Sequence, residues 1–451
     1  MPDNDVRQTR RVAFSSFLGS AVEFYDFLLY GAAASLVFNQ LFFTRLTPLA
    51  GTLASFATLA IGYLARPLGG IVFGHFGDRL GRKSMLMITM SLMGLASFCI
   101  GLLPTYDTIG LWAPTLLVVL RLIQGVAVGG EWGGAALMAF EHAPARRRGL
   151  AASFANMGGP AGSVLATTML AAFSALPEDA FLSWGWRVPF LFSVVLLAIG
   201  LFVRLRVAES PAFQEAARRA ATAPEKEEVP LLAVLRRHPK NITLAALGGS
   251  APILVQSLLA TFMLTYAMDA GYDRSTVLAA QTASAALHIL TIPAYAALSD
   301  RVGRKPVMIG GAIGSAIAAY PLFALVDSGS VTALYVAYVI GNPLLQAAMY
   351  GPMAAFVSEM FGTRARYTGA SLGYQLATTL GGGLAPLAAT ALLAGAGDGK
   401  DATPVVLFLA GACLLSAVAV ALTRETNRSD LEDATFPAPV ASAEASRRRT
   451  S

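Results

Sequence analysis

The chain has 451 residues, 55% of them hydrophobic and only 13% charged, with a mean hydropathy of +0.60. A soluble domain carries about 25% charged residues, so the composition excludes an ordinary water-soluble fold and places this chain in lipid. The formal charge of +6 is scattered over short loops, which excludes a nucleic-acid-binding patch and fits membrane topology instead.

Twelve apolar runs are centred near residues 25, 62, 94, 126, 162, 196, 255, 287, 316, 344, 380 and 414. Each has roughly the 20 residues a helix needs to cross a ~30 Å hydrocarbon core. The first follows Arg7, Arg10 and Arg11 and is too long for a cleavable signal, so it reads as a spanning helix. One long polar break separates runs six and seven. The predicted fold is therefore an all-α membrane protein with twelve transmembrane helices in two pseudo-symmetric six-helix bundles. Residues 1–206 form the first bundle, 207–240 a central cytoplasmic loop, 241–424 the second bundle and 425–451 a polar tail without heptads, expected to be disordered. With the N-terminus inside, 27 of the 33 Lys and Arg residues fall on inner segments, the bias of cytoplasmic loops. Both termini are expected in the cytoplasm and the chain in the inner (plasma) membrane. Cys99 and Cys413 lie in separate apolar runs and read as packing residues.

A charged string occurs twice. Gly77-Asp78-Arg79-Leu80-Gly81-Arg82-Lys83 returns as Ser299-Asp300-Arg301-Val302-Gly303-Arg304-Lys305, 222 positions later. A period near half the length means two similar halves, the internal order of a carrier that rocks about a central site. Gly81 and Gly303 supply the backbone freedom for the turn. Glu141 and Arg148 recur as Glu359 and Arg366, each pair seven residues apart. All of these groups fall on the inner side. Asp78, Arg79, Arg82, Glu141 and Arg148, with Asp300, Arg301, Arg304, Glu359 and Arg366, are the expected gating charges.

The string Gly74-x-x-x-Asp78-Arg79-x-Gly81-Arg82-Lys83 resembles the loop motif of the major facilitator superfamily, and Arg121-Leu122-Ile123-Gln124-Gly125 resembles its Arg-x-x-Gln-Gly motif. The second string departs by placing Ala296 at the first glycine position. Glu23-Phe24-Tyr25-Asp26, Arg66-Pro67-Leu68-Gly69-Gly70, Gly129-Gly130-Glu131-Trp132-Gly133-Gly134 and Arg366-Tyr367-Thr368-Gly369 with the residues after them look like the metabolite:proton symporter family. The resemblance spans about Arg11 to Thr423. It implies carriage of small carboxylates, shikimate-like acids or zwitterionic osmolytes.

Charges inside a membrane are costly and each is a functional candidate. Glu23, Asp26, Arg66, Arg121 and Glu131 all lie in the first half; His288 stands in the second. At 1.5 Å per residue, Asp26 and Arg121 reach similar depths and can meet. In related transporters such a pair is the protonation site, and the resemblance carries that role to Asp26 and Arg121, with Glu23 as a second proton carrier. Arg66 offers a planar fork for a substrate carboxylate. Arg121, Tyr25, Tyr30, Gln124, Glu131, Gln256, His288, Asn342, Gln346 and Tyr374 complete the candidate substrate residues; for each of the neutral ones helix packing is an equal reading. Arg187, at the outer start of helix six, reads as an interface anchor.

The expected function is a proton-coupled symporter importing a small organic anion by alternating access, working as a monomer in membrane lipid. The proton gradient serves as the energy source. No cofactor, catalytic group, metal or nucleic-acid partner is expected, and no Walker motif suggests ATP drive. The alternatives are an osmolyte symporter of the betaine or proline type or, in another class, a channel or membrane receptor.

Overall fold

The computed structural model describes residues 3–80, 82–129, 139–140, 143, 147–205, 236, 238–361, 366–396 and 401–426. Glu131, Glu141 and the side chains of Asp78, Arg79, Arg82 and Arg366 lie outside what it describes, as do most of the central loop and the tail from 427.

Among the described residues twelve long helices follow in chain order: α1 (Ser16–Leu41), α2 (Pro48–Leu80), α3 (Arg82–Leu102), α4 (Trp112–Gly129), α5 (Arg148–Ser174), α6 (Glu178–Val203), α7 (Pro239–Asp269), α8 (Arg274–Val302), α9 (Arg304–Asp327), α10 (Val331–Glu359), α11 (Thr368–Gly395) and α12 (Thr403–Ala421). Among the described residues, ten are long and apolar enough to span a membrane by themselves. The other two are α3, with a shorter apolar stretch at Met87–Leu102, and α5. The polar groups of α5 (Ser153, Asn156, Ser163, Thr167) are buried against neighbouring helices, so its low apolarity carries no lipid penalty.

The halves repeat one plan. In the first, α1 packs on α5, α2 on α4 and α3 on α6; in the second, α7 packs on α11, α8 on α10 and α9 on α12. Between halves, α5 packs on α8 and α10, and α2 on α11. Small residues set the closest approaches. A Cβ at Gly69 would collide with the Val126 carbonyl, and one at Gly129 with the carbonyl of Arg66, so α2 and α4 touch backbone to backbone as membrane helices with glycine seams do. Lipid-facing positions carry bare apolar side chains such as Leu68, Ile317 and Leu407.

The turn of the second charged string has Gly303 at φ 109°, between the end of α8 and the start of α9, a conformation that favours glycine. Three helices of the second half bulge into π-helical turns near mid-span: Leu258–Phe262 in α7, Ile340–Gln346 in α10 and Thr379–Gly383 in α11. Pro343 lies in the α10 bulge and lacks the N–H an α-helix would use.

Both ends of the seam between the halves are shut. At the end bearing the charged strings, the N–H groups of Gly149 and Leu150 donate to the two carboxylate oxygens of Asp300 at 2.9 and 3.0 Å. Asn156 donates to the Tyr350 carbonyl at 2.8 Å, and Gln375 to the Gly129 carbonyl at 3.1 Å. At the opposite end Ser35 donates to the Thr261 carbonyl at 3.1 Å. There Thr167 and Thr282 share a hydrogen bond of 2.6 Å, and Arg274 lies 3.7 Å from Glu178.

Candidate functional site

Between the shut ends lies a small central cavity of ≈ 30 Å³ measured to water centres. Its first-half wall includes Phe27, Tyr63 and Arg66; its second-half wall includes Gln256, Tyr350 and Tyr374. One water needs about 10–15 Å³ on this measure, so the space suits a pair of waters and excludes an organic acid. The conformation is occluded. Arg66 is 2% exposed, and its Nε is buried without a hydrogen-bond partner.

Phe27 organises the cations. The guanidinium carbon of Arg66 lies 3.9 Å from its ring centroid and that of Arg121 lies 3.8 Å away. Two guanidinium groups that close cannot share one face, so the ring is sandwiched and holds the like charges apart. Each arginine has a second aromatic partner: Tyr63 for Arg66 at 4.5 Å and Tyr30 for Arg121 at 4.0 Å. Cation–π attraction of this kind is worth about 2 kcal/mol where desolvated. It offsets part of the cost of holding a fixed positive charge inside the membrane.

Asp26, one residue away, is 1% exposed. Ser193 of α6 donates to its Oδ1 at 2.5 Å, and its Oδ2 has no partner. It is not ion-paired to Arg121. Arg121 donates to Gln124 Oε1 at 3.0 Å, and Gln124 donates in turn to Ser97 Oγ at 2.6 Å; Ser97 stands beside the carboxyl. The contact expected from matching depths is thus a relay of neutral groups. Depth along two helices does not determine their rotation, and Arg121 is turned toward Phe27 and Tyr30. Glu23 is buried on the same helix, within electrostatic reach of Tyr350 and Tyr374.

The remaining candidates divide by position. Gln256 and Tyr374 line the central cavity. Gln256, His288 and Asn342 line a second, smaller one. Tyr25 donates to the Pro189 carbonyl at 2.7 Å and Tyr30 to Thr58 Oγ1 at 2.7 Å; neither lines either cavity. The Gln346 amide donates to the Pro252 carbonyl at 2.8 Å. Arg187 donates to the carbonyls of Gly101 and Leu103 at 3.0 and 2.5 Å, capping the end of α3.

Of the gating set, Asp300 and Glu359 share Arg304, at 2.6 and 3.2 Å. Asp300 also holds the first N–H groups of α5, which have no partner inside their own helix. Arg301 is exposed, and Arg148 lies 5.5 Å from the Phe140 ring. Just beyond α12, Glu425 accepts from the N–H groups of Arg304 and Lys305, and Thr426 donates to Glu359. Sequence reasoning passed over Phe27, Tyr63, Ser97 and Ser193. Tyr63 was detectable, three residues before Arg66 on one helical face. The serines were not, since nothing in the chain marks them apart from packing serines.

Residues 12–229 match the family model described as Sugar (and other) transporter, and residues 253–449 match Major Facilitator Superfamily. The chain is 41% identical over 430 residues to the shikimate transporter of Escherichia coli (strain K12), covering 94% of this chain and 96% of that one. It is 31% identical over 394 residues to the proline/betaine transporter of the same strain, covering 85% and 78%. A solved proton:xylose symporter bound to 6-bromo-6-deoxy-D-glucose superposes with a TM-score of 0.73 at 19% identity, covering 95% and 99%. The chain belongs to the major facilitator superfamily. It is a multi-pass membrane transporter with two six-helix halves, not an enzyme.

Proposed function

We propose that this carrier is a proton-coupled symporter importing a small organic acid, shikimate-like or another carboxylate, by alternating access. The observation that carries this reading is the cluster around Phe27: a guanidinium on the cavity wall, a second behind the ring and a buried carboxyl beside it. Arg66 presents a fork that matches two carboxylate oxygens. Among the described residues Asp26 has no cation within ion-pairing distance, and an unpaired carboxylate is costly there, so it crosses most cheaply with a proton bound. Proton uptake at Asp26, with Glu23 as a second carboxyl, and substrate capture at Arg66 together leave the cluster neutral enough to pass through the occluded form. Release on the other side frees the proton and resets the carrier.

In this reading the charged-string end faces the cytoplasm, as do both termini, in the inner membrane. The string-end lock of Asp300 on α5 opens to release substrate inside, and the Ser35–Thr261 and Thr167–Thr282 contacts open to admit it from outside. The carrier works as a monomer, each chain enclosing its own cavity. An osmolyte of the betaine type fits less well, because the faces of Phe27, Tyr63 and Tyr30 that would cradle a quaternary ammonium already hold the two arginines. Uptake by proteoliposomes of labelled carboxylates, shikimate and glycine betaine, with and without an inward proton gradient, tests the proposal. Gradient-driven accumulation of an acid supports it. Uptake indifferent to collapsing the gradient, or confined to betaine, refutes it.

A further inference from the structure

A second cavity, which shares Gln256 and Ala260 with the central one, is lined by residues of α5, α7, α8 and α10. Its volume is only ≈ 10 Å³, yet five polar atoms on its lining residues are buried without a hydrogen-bond partner: both ring nitrogens of His288, Gln281 Oε1, Tyr338 Oη and Asn342 Oδ1. His288, Gln281 and Tyr338 are 0, 5 and 1% exposed, and the Gln346 side chain stands beside the His288 ring, leaving the other atoms of the set with no neighbour to serve them. Native interiors leave few such groups unsatisfied, and a concentration of them around one space marks a place built for something else. A single water makes about two to four hydrogen bonds, and the space barely admits one. Water alone therefore leaves part of the set unserved.

The chemistry of the set is specific. The two amide oxygens accept, the phenol does both, and neutral histidine offers one donor and one acceptor. No lining side chain is acidic or basic apart from His288 itself. Such a wall has nothing to neutralise a carboxylate or an ammonium. It suits neutral groups that donate and accept at once, which describes hydroxyls.

Room can be made. Gln256 and Ala260 line both cavities, so the half-buried Gln256 side chain is a partition whose rotation joins them. The π-helical turns of α7 and α10, at Leu258–Phe262 and Ile340–Gln346, adjoin the same wall, and such turns often sit at functional sites. We infer that His288, Gln281, Tyr338 and Asn342 form a hydroxyl-binding subsite that joins the central cavity past Gln256 and makes the carrier selective for polyhydroxylated ring acids. The inference rests on the proposed carriage of an acid with its carboxylate at Arg66. The substrate then bridges the halves, its acid end in the first and its hydroxylated end in the second.

Direct titration of the purified full chain in nanodiscs with shikimate, benzoate and myo-inositol tests this. Shikimate is expected to bind at least about tenfold more tightly than benzoate, a ring acid without hydroxyls, since one lost hydrogen bond in a buried site is worth about that factor. Asn342→Leu and His288→Phe should each weaken shikimate about tenfold or more and leave benzoate unchanged. Equal affinities of the unaltered protein for the two acids would overturn the subsite with no need of a variant, as would parallel losses for both acids. Binding of inositol without either acid would keep the subsite and sink the carboxylate reading. No binding by any of the three would overturn both.

Discussion

Replacing Asp300 with asparagine weakens the lock at the charged-string end and also removes the Asp300–Arg304 ion pair within the second half. Both oxygens of Asp300 accept N–H groups from the first turn of α5, at 2.9 and 3.0 Å, where the helix dipole adds to the attraction. Asparagine keeps one acceptor and loses the charge, so one charge-assisted bond disappears outright and the other weakens. A hydrogen bond to a charged group contributes about 1.5–3 kcal/mol, and each 1.4 kcal/mol is about a factor of ten. The balance should move about 10- to 100-fold toward the form open at this end. The pair of Asp300 with Arg304 at 2.6 Å is lost in either conformation of the gate, while Arg304 keeps Glu359 at 3.2 Å, so α9 and α10 stay joined. The assay is maleimide labelling of a cysteine at Ala152, a buried position one turn into α5, in a background where the exposed Cys99 is serine. Labelling from the cytoplasmic side should accelerate by that factor in Asp300→Asn, and glutamate at 300 should restore part of the protection. An unchanged labelling rate would show that these bonds do not hold the gate.

Asp26→Asn should abolish proton-driven accumulation while sparing counterflow exchange of the same substrate; accumulation that persists removes Asp26 from coupling. Arg66→Lys keeps the charge but loses the fork and the stacking on Phe27 and Tyr63, so acid affinity in binding titrations should fall about tenfold or more, and unchanged affinity would take Arg66 off the cavity wall as a ligand. Gly129→Ala drives a methyl group into the Arg66 carbonyl; overpacking of this sort costs about 1–3 kcal/mol and should lower the thermal stability of the purified protein, whereas a neutral result would show that α2 and α4 have slack.

The helices were readable because the membrane requirement is local. Apolar length and the charged breaks identify the segments one at a time, and the doubled string announced two like halves that pack by one plan. The turn at Gly303 was readable for the same reason, since a glycine between two helices has few other uses. The site was readable only in part. Arg66 stood out as a buried charge and does line the cavity. The aromatic ring that separates Arg66 from Arg121 did not stand out, because Phe27 has the composition of any lipid-facing or packing residue.

Sequence alone therefore determined the solvent, the number of spans and the inequality of charge between the halves, all sums over a single strand of chain. The partners came only from tertiary structure. Asp26 meets Ser193 instead of Arg121, Arg304 serves both Asp300 and Glu359, and five unpaired polar atoms of the second half gather around one space. Successive residues on a helix point about 100° apart, so a partner across the bundle depends on how each helix is rotated against its neighbours. Packing against all of them at once sets that angle, and no single segment encodes it.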